Sequence, residues 1–313
     1  MKFLTYKPKN SNNLSLGTVI GDKVLDLAIA SKNKIPQDLL TFIELHENFT
    51  DLAKDICVNP RKQDLISLSD IDIKAPLLKP SSLKDFFAFE EHAKAGAKRR
   101  NETLPQEWYE IPAYYKGNHR EIYGPDDEIP WPYYTQKLDF ECEIACVIGK
   151  QGKNIKIEEA QDYIFGYMIF NDFSARDIQK KEMVLRMGPG KSKDFANSFG
   201  PYLVTKDELD PKKDFHMKVK VNDEEWTSGH FKDQHWGFDL MVSHVSQEET
   251  IYPGDILGSG TFYKGCGLDL DRWIQPGDTI ELEVNKLGVL KNKIGRPKNQ
   301  RELIYKKKLE ARN

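Results

Sequence analysis

Cysteine is scarce in this 313-residue chain, with four residues at 57, 142, 146 and 266. A chain of this length can bury a large core without covalent staples, so the four read as free thiols rather than a disulfide framework. Long uncharged apolar runs are missing, which argues against a transmembrane helix. Charge of one sign is missing as well. Lys and Arg number 46 against 49 Asp and Glu, a net charge of −3 that gives no field calling for nucleic acid or anionic lipid. The opening Met1-Lys2-Phe3-Leu4-Thr5-Tyr6 has neither the apolar stretch nor the small-residue cleavage site of a signal peptide. The chain therefore reads as cytoplasmic, with a small molecule rather than a membrane or nucleic acid as its partner. The hydrophobic fraction of 39% is enough for one large domain or two unequal ones.

The pattern along the chain favours two unequal units. In residues 1–74, Leu14–Ile20 and Val24–Leu27 flank Gly21-Asp22 as the arms of a hairpin flank its turn. Leu39, Phe42 and Ile43 then repeat at helical spacing, and Leu52 and Ile56 continue a short amphipathic pattern. The Pro- and Ser-punctuated stretch Ala75–Ser82 reads as a connection. Residues 75–313 hold short strands and many turns, including two Pro-Gly-Asp turns at 253–255 and 276–278 that each launch an apolar run. Thr279–Val284 alternates with period two, and helices are expected near Ile157–Tyr163 and Ser174–Met187. From Lys291 onward nine Lys or Arg face only Glu302 and Glu310, with Tyr305 the one stacking aromatic. That end reads as a solvated surface segment rather than a nucleic-acid arm.

Chemistry concentrates in Leu138–Gly149. On a strand, Phe140, Cys142, Ile144 and Cys146 fall on one face, and Asp139, Glu141, Glu143 and Ala145 on the other. The Cys142/Cys146 pair is thereby turned away from the carboxylates and is not a zinc site. Glu141 and Glu143 stand about 6–7 Å apart along the strand, where like charges repel unless they are exposed or joined by a cation. Asp172 ends the apolar run Gly166–Phe170, and Asp85 opens Phe86–Phe89 ahead of Glu90-Glu91-His92. Each of these two acids has a plain reading as a helix cap. Acids from three segments in apolar surroundings suggest instead a shared site, and ligands that are all oxygen select a hard cation, Mg2+, Mn2+ or Ca2+. Gly188-Pro189-Gly190-Lys191 has the look of a phosphate loop but lacks the rest of that motif.

The run Asp85-x6-His92, the strand Asp139-Phe140-Glu141-x-Glu143 and the segment Asn171–Gln179 resemble the fumarylacetoacetate hydrolase family. So do Lys191-Ser192-Lys193-Asp194 leading to Gly200-Pro201, and Gly258-Ser259-Gly260-Thr261. The resemblance implies a mixed, β-rich α+β fold, a C-terminal β-sandwich roll with a small N-terminal β-rich domain, and a homodimer. It implies that Asp85, Glu141, Glu143 and Asp172 hold the metal and that His92 is the general base. Lys191 is implied to face the developing oxyanion, and Arg176, Gln179, Thr261 and Tyr115 to contact the substrate. Asp269 corresponds to the glutamate that orients the histidine in the hydrolase itself. Being one methylene shorter, it weakens the expectation that His92 activates water.

These implications define a metal-dependent hydrolase that cleaves a C–C bond in a fumarylacetoacetate- or acylpyruvate-like 1,3-diketo acid, the cation stabilising the enolate that departs. The alternative keeps the cation and omits water attack. It is a lyase or isomerase acting on 2-oxo acids: an oxaloacetate-type decarboxylase, a 2-keto-3-deoxy-sugar-acid dehydratase or a tautomerase. A third reading is a non-catalytic protein with a structural Ca2+ site.

Overall fold

The computed structural model describes residues 1–297; the rest of the basic C-terminal end, 298–313, lies outside them. Its framework is a twelve-stranded sheet. Along the main path the strands are Leu65–Ser67, Lys23–Asp26, Ser15–Ile20, Lys2–Pro8, Asn197–Thr205, Ile164–Asp172, Cys142–Ile148, Asp255–Gly258, Ser82–Phe86 and Tyr114–Lys116. The Ser15–Ile20 and Lys23–Asp26 arms form the expected hairpin, with Gly21 at φ +62° in the turn, a conformation glycine adopts at no steric cost. Lys2–Pro8 pairs with that hairpin on one edge and, through Lys2 and Phe3, with Val204 and Leu203 on the other. The N-terminal segment thus extends the sheet that carries the later strands.

A five-stranded sheet, ordered Glu224–His230, His216–Val221, Thr279–Val284, Gly288–Ile294 and Glu128–Ile129, forms a second layer. Its inward residues alternate as the period-two pattern requires: Met217, Val219, Val221, Ile280, Leu282 and Val284 are all buried. They join Phe140, Cys142, Ile144, Cys146 and Ile148 in one hydrophobic cluster. The opposite face of the large sheet, with Ala145, Val147, Met168 and Phe170, packs with Leu39, Phe42, Ile43 and Ala53 in a second cluster. Leu39, Phe42 and Ile43 belong to the helix Leu39–Glu44, whose N-cap Asp38 accepts from the Thr41 N–H, and Ala53 to the helix His46–Val58. The large sheet is therefore covered on both faces, and its central strands Ile164–Asp172, Cys142–Ile148 and Asp255–Gly258 are buried along their length.

That alternation positions the acids. Leu83 and Asp85, Glu143 with Ala145 and Val147, and Asp172 with Met168 and Phe170 share parity on three strands, with the apolar member of each set in the second cluster. The acids stand where that apolar layer ends.

Candidate active site

Asp85, Glu141, Glu143 and Asp172 converge: one carboxylate oxygen from each lies within 4.8 Å of the others, and all four residues are buried. The strands meet in a register that makes this necessary. Asp85 is opposite Gly258 in a parallel pair and opposite Tyr115 in an antiparallel one. Glu143 is opposite Phe170, and the Asp172 N–H donates to the Glu141 carbonyl at 3.3 Å. Room for the Asp85 carboxylate depends on glycine, because a Cβ at position 258 would stand 2.4 Å from its Oδ1. Gly260, at φ +74°, turns its N–H to Glu143 Oε2 at 2.8 Å and to Asp85 Oδ1 at 3.2 Å.

Two cations enter the cluster. Lys193, with 3% of its side chain exposed, donates to Glu141 Oε2 at 2.8 Å and to Asp172. Arg176 donates through Nε to Asp139 Oδ2 at 2.8 Å and through Nη1 to Gln179 Oε1 at 3.0 Å. Its Nη2 is 2.7 Å from Glu141 Oε1, an ion pair by distance although the bond is not aligned as a hydrogen bond. Asp139 also accepts from the N–H groups of Gly267 at 2.8 Å and Leu268 at 2.9 Å, so it anchors the guanidinium to the 265–270 turn. The Tyr115 hydroxyl donates to Asp172 Oδ2 at 2.8 Å.

The electrostatics divide the acids. Burial raises the Glu141 carboxyl, but Lys193 and then Arg176 outweigh it and hold the group well below the usual carboxylate range. Burial and the charge of Asp172 push Asp85 well above its ordinary value, and burial with the charge of Asp85 does the same to Glu143. Asp172 is pushed up to about 6 by burial, which its bond to Lys193 only partly offsets. Desolvation opposes the charge on Lys193, yet Asp172 and Glu141 hold its ammonium above its usual value. One lysine and one arginine do not neutralise five clustered acids. Glu143 Oε1 and Asp172 Oδ1 are buried with no hydrogen-bond partner. Oxygens left bare in that position, in an all-carboxylate set, fit a hard divalent cation.

His92 begins the inward face of the helix Glu90–Arg99, and its Nδ1 is 2.7 Å from Asp269 Oδ2. The expectation that Asp269 falls short of His92 is therefore corrected. The helix and the 265–270 turn approach closely enough that an aspartate spans the gap, and the Lys264 N–H at 3.1 Å fixes the carboxylate from behind. Lys191 is also placed otherwise than expected. It is exposed, its ammonium 5.5 Å from the centre of the Tyr134 ring, and the amine among the acids is Lys193. The signal that separates the two lysines is local: Lys191 follows Gly188-Pro189-Gly190, whereas Lys193 precedes the apolar Phe195-Ala196 that leads into a buried strand. Thr261 is buried, its hydroxyl donating to the Cys142 carbonyl at 3.0 Å. The functional part of Asp139 is likewise absent from the alternation, which placed it on the acidic face without a partner. Cavity size does not locate this site: a cavity of about 930 Å³ lined by His46, Lys84, Lys150 and Tyr252 shares none of its residues.

A two-layered, β-rich α+β fold with a buried four-carboxylate centre and an adjacent His–Asp pair defines a class of enzyme, and comparison with known proteins names the class. The family model for the fumarylacetoacetate hydrolase C-terminal domain matches residues 82–295, and the chain belongs to that family. It is 31% identical over 313 residues to the oxaloacetate tautomerase YisK of Bacillus subtilis, covering 94% of this chain and 100% of that protein. It is 30% identical over 285 residues to the human mitochondrial oxaloacetate tautomerase FAHD2A, covering 90% of this chain and 87% of that one. Among solved structures, a fumarylacetoacetate hydrolase from Exiguobacterium antarcticum superposes with a TM-score of 0.75 at 24% identity, covering 94% of this chain and 99% of that one. A maleylpyruvate hydrolase from Sphingobium, in complex with manganese(II) and pyruvate, superposes at 0.74 and 20% identity, covering 95% and 100%. At those identities the two structures establish the shared fold. Among the described residues no helix is long and apolar enough to cross a membrane.

Proposed function

We propose that this enzyme is a divalent-cation-dependent tautomerase of oxaloacetate or a closely similar 2-oxo diacid. The observation that carries the reading is the His92–Asp269 pair beside the four acids, a proton-handling group next to a charge-stabilising one. Full-length similarity to two oxaloacetate tautomerases favours proton transfer over C–C cleavage. Asp269 reaches His92, so the length of its side chain does not itself decide between the two reactions.

Asp85, Glu141, Glu143 and Asp172 would hold the cation, Mg2+ or Mn2+ ahead of Ca2+, which supplies Lewis-acid stabilisation of the negative charge on the substrate's carbonyl oxygen. The rest is done by side chains of the chain itself. Asp269 holds Nδ1 of His92 and so leaves Nε2 free to take a proton from the carbon beside the carbonyl and to return it there. In the enol-to-keto direction the enol O–H loses its proton and that carbon gains one, so the sum is zero and no water is consumed. Lys193 donates toward the oxygen on which charge collects. Arg176, held by Asp139, and Gln179 bind a substrate carboxylate. A homodimer remains part of the proposal, as the family resemblance implies.

The test follows the enol of oxaloacetate by its ultraviolet absorbance with Mg2+ or Mn2+ present, alongside an assay for pyruvate. Faster enol decay without pyruvate is expected, and Glu141→Gln with Glu143→Gln abolishes it in a folded protein. Pyruvate and a second acid released from an acylpyruvate, with enol decay no faster than without protein, would establish the hydrolase instead.

A further inference from the structure

Among the described residues, one further group of metal-ligating side chains stands apart from the four acids: His92, Cys266 and Asp269, with one ligand atom from each within 4.8 Å of the others. We propose that these three form a second, softer cation site that takes Zn2+ or Cd2+ and, when filled, blocks His92. The residues come from two elements. His92 projects from the helix Glu90–Arg99, while Cys266 and Asp269 bracket the first turn of Gly267–Leu270. Cys266 is fully buried and also bridges, through its backbone, to Glu141.

An observation independent of the cluster points to a ligand. The Asp269 side chain is 1% exposed, and although its Oδ2 is engaged by His92 and the Lys264 N–H, its Oδ1 has no partner. A buried carboxylate oxygen without a donor is uncommon, and a bound ion is one of the ways it is satisfied. Thiolate and imidazole favour Zn2+ and Cd2+ over Mg2+, so the two sites sort cations by softness: all-oxygen at Asp85–Asp172, mixed sulfur, nitrogen and oxygen at Cys266. Burial, with the charge of Asp139, keeps the Cys266 thiol well above its usual value. The sulfur gives its proton to solvent as the S–metal bond forms. Binding is independent of the reaction the enzyme performs. Inhibition rests on His92 being the base.

The experiment titrates Mg2+-saturated protein with Cd2+ and records the ultraviolet thiolate-to-cadmium charge-transfer band together with turnover. One band-forming equivalent is expected, with inhibition that extra Mg2+ does not relieve. Cys266→Ser should remove the band and raise the Cd2+ concentration for half-inhibition at least about tenfold. His92→Asn, which keeps the sulfur, should weaken the band's affinity by about 10–100-fold. Cys57→Ser, at the partly exposed cysteine, should change neither readout. A band that survives Cys266→Ser, an affinity untouched by His92→Asn, or inhibition that Mg2+ competes away would each overturn the proposal. The band is read without substrate, so its absence is distinguishable from an error in the assigned reaction.

Discussion

Lys191 and Lys193 are two residues apart and chemically identical, yet only one sits at the site. Lys193 is enclosed by Glu141, Asp172 and, at 5.9 Å, the face of Tyr115. Removing one such donor typically costs about 10²–10³ in turnover. Lys193→Met should lose that much, whereas Lys191→Met should stay within about threefold of the parent. Steady-state kinetics on the two variants decides it, and equal effects would remove Lys193 from its role. The sequence motif contained both lysines, and alternation has no purchase in a loop, so burial had to choose between them. His92 was singled out by the family resemblance of the run Asp85-x6-His92. Its orientation was not legible, because the distance from helix 90–99 to the 265–270 turn is set by packing across residues far apart in the chain. Replacing His92 with Gln should cost about 10²–10⁴ in kcat, the usual share of a positioned acid–base group, with cation binding by titration calorimetry retained. Loss of cation binding along with turnover would make His92 a structural residue of the metal site instead.

At the scale of the element, the acidic strand was the most readable part of the protein. Period-two alternation over 138–149 separated Phe140, Cys142, Ile144 and Cys146 from the carboxylates. Within the strand Cys142–Ile148 it holds, with Cys142, Ile144 and Cys146 in one cluster and Ala145 and Val147 in the other, whereas Leu138–Asp139 pairs with Ser174–Ala175 in a separate two-stranded sheet. Local rules reached that far because both faces are buried against different layers, which fixes the strand's rotation. They did not reach the neighbouring strand Asp255–Gly258, whose contribution is a missing side chain. Gly258 lies level with Asp85, and a methyl group there would also come within 2.9 Å of the Phe170 ring. Neither neighbour can retreat: Phe170 stacks on Phe199 with centroids 4.5 Å apart, and Asp85 is held in the register of its own strand. Gly258→Ala should therefore push the Asp85 carboxylate aside and weaken divalent-cation affinity at least about tenfold. The loss should exceed any change in the CD spectrum or cooperativity of unfolding. An alanine variant that binds the cation as tightly as the parent would mean that Asp85 does not need the space glycine leaves.

The scale of the whole molecule brings in what no local pattern contained: a sheet that runs from the N-terminal hairpin to the strands of the site, joined by pairing of residues 2–3 with 203–204. The acids sit inside that continuous framework, and their protonation is therefore coupled to global stability. Without a cation, Asp172 at about 6 and the raised Asp85 and Glu143 bind protons more tightly in the folded than in the unfolded chain. Their stabilising contribution is fully present below about pH 4, the unfolded carboxylate range, and for Asp172 is lost as pH rises through about 6. Glu141, held low by Lys193 and Arg176, works in the opposite sense, but its window closes below about pH 4.5 and leaves the neutral range to the others. The chelated protein should thus show a falling Tm between about pH 4.5 and about pH 6. Mn2+ displaces those protons and stabilises only the folded state, so the gain in Tm at saturating Mn2+ should grow over the same interval. Glu143→Gln removes one of the raised acids without removing its bulk, and should flatten the chelated curve while shrinking the Mn2+ gain. Calorimetry at the two pH values, with and without Mn2+, measures both quantities on one sample. A chelated Tm that rises with pH, or a Mn2+ gain that Glu143→Gln leaves intact, would mean that the four acids are balanced by some other means than a cation.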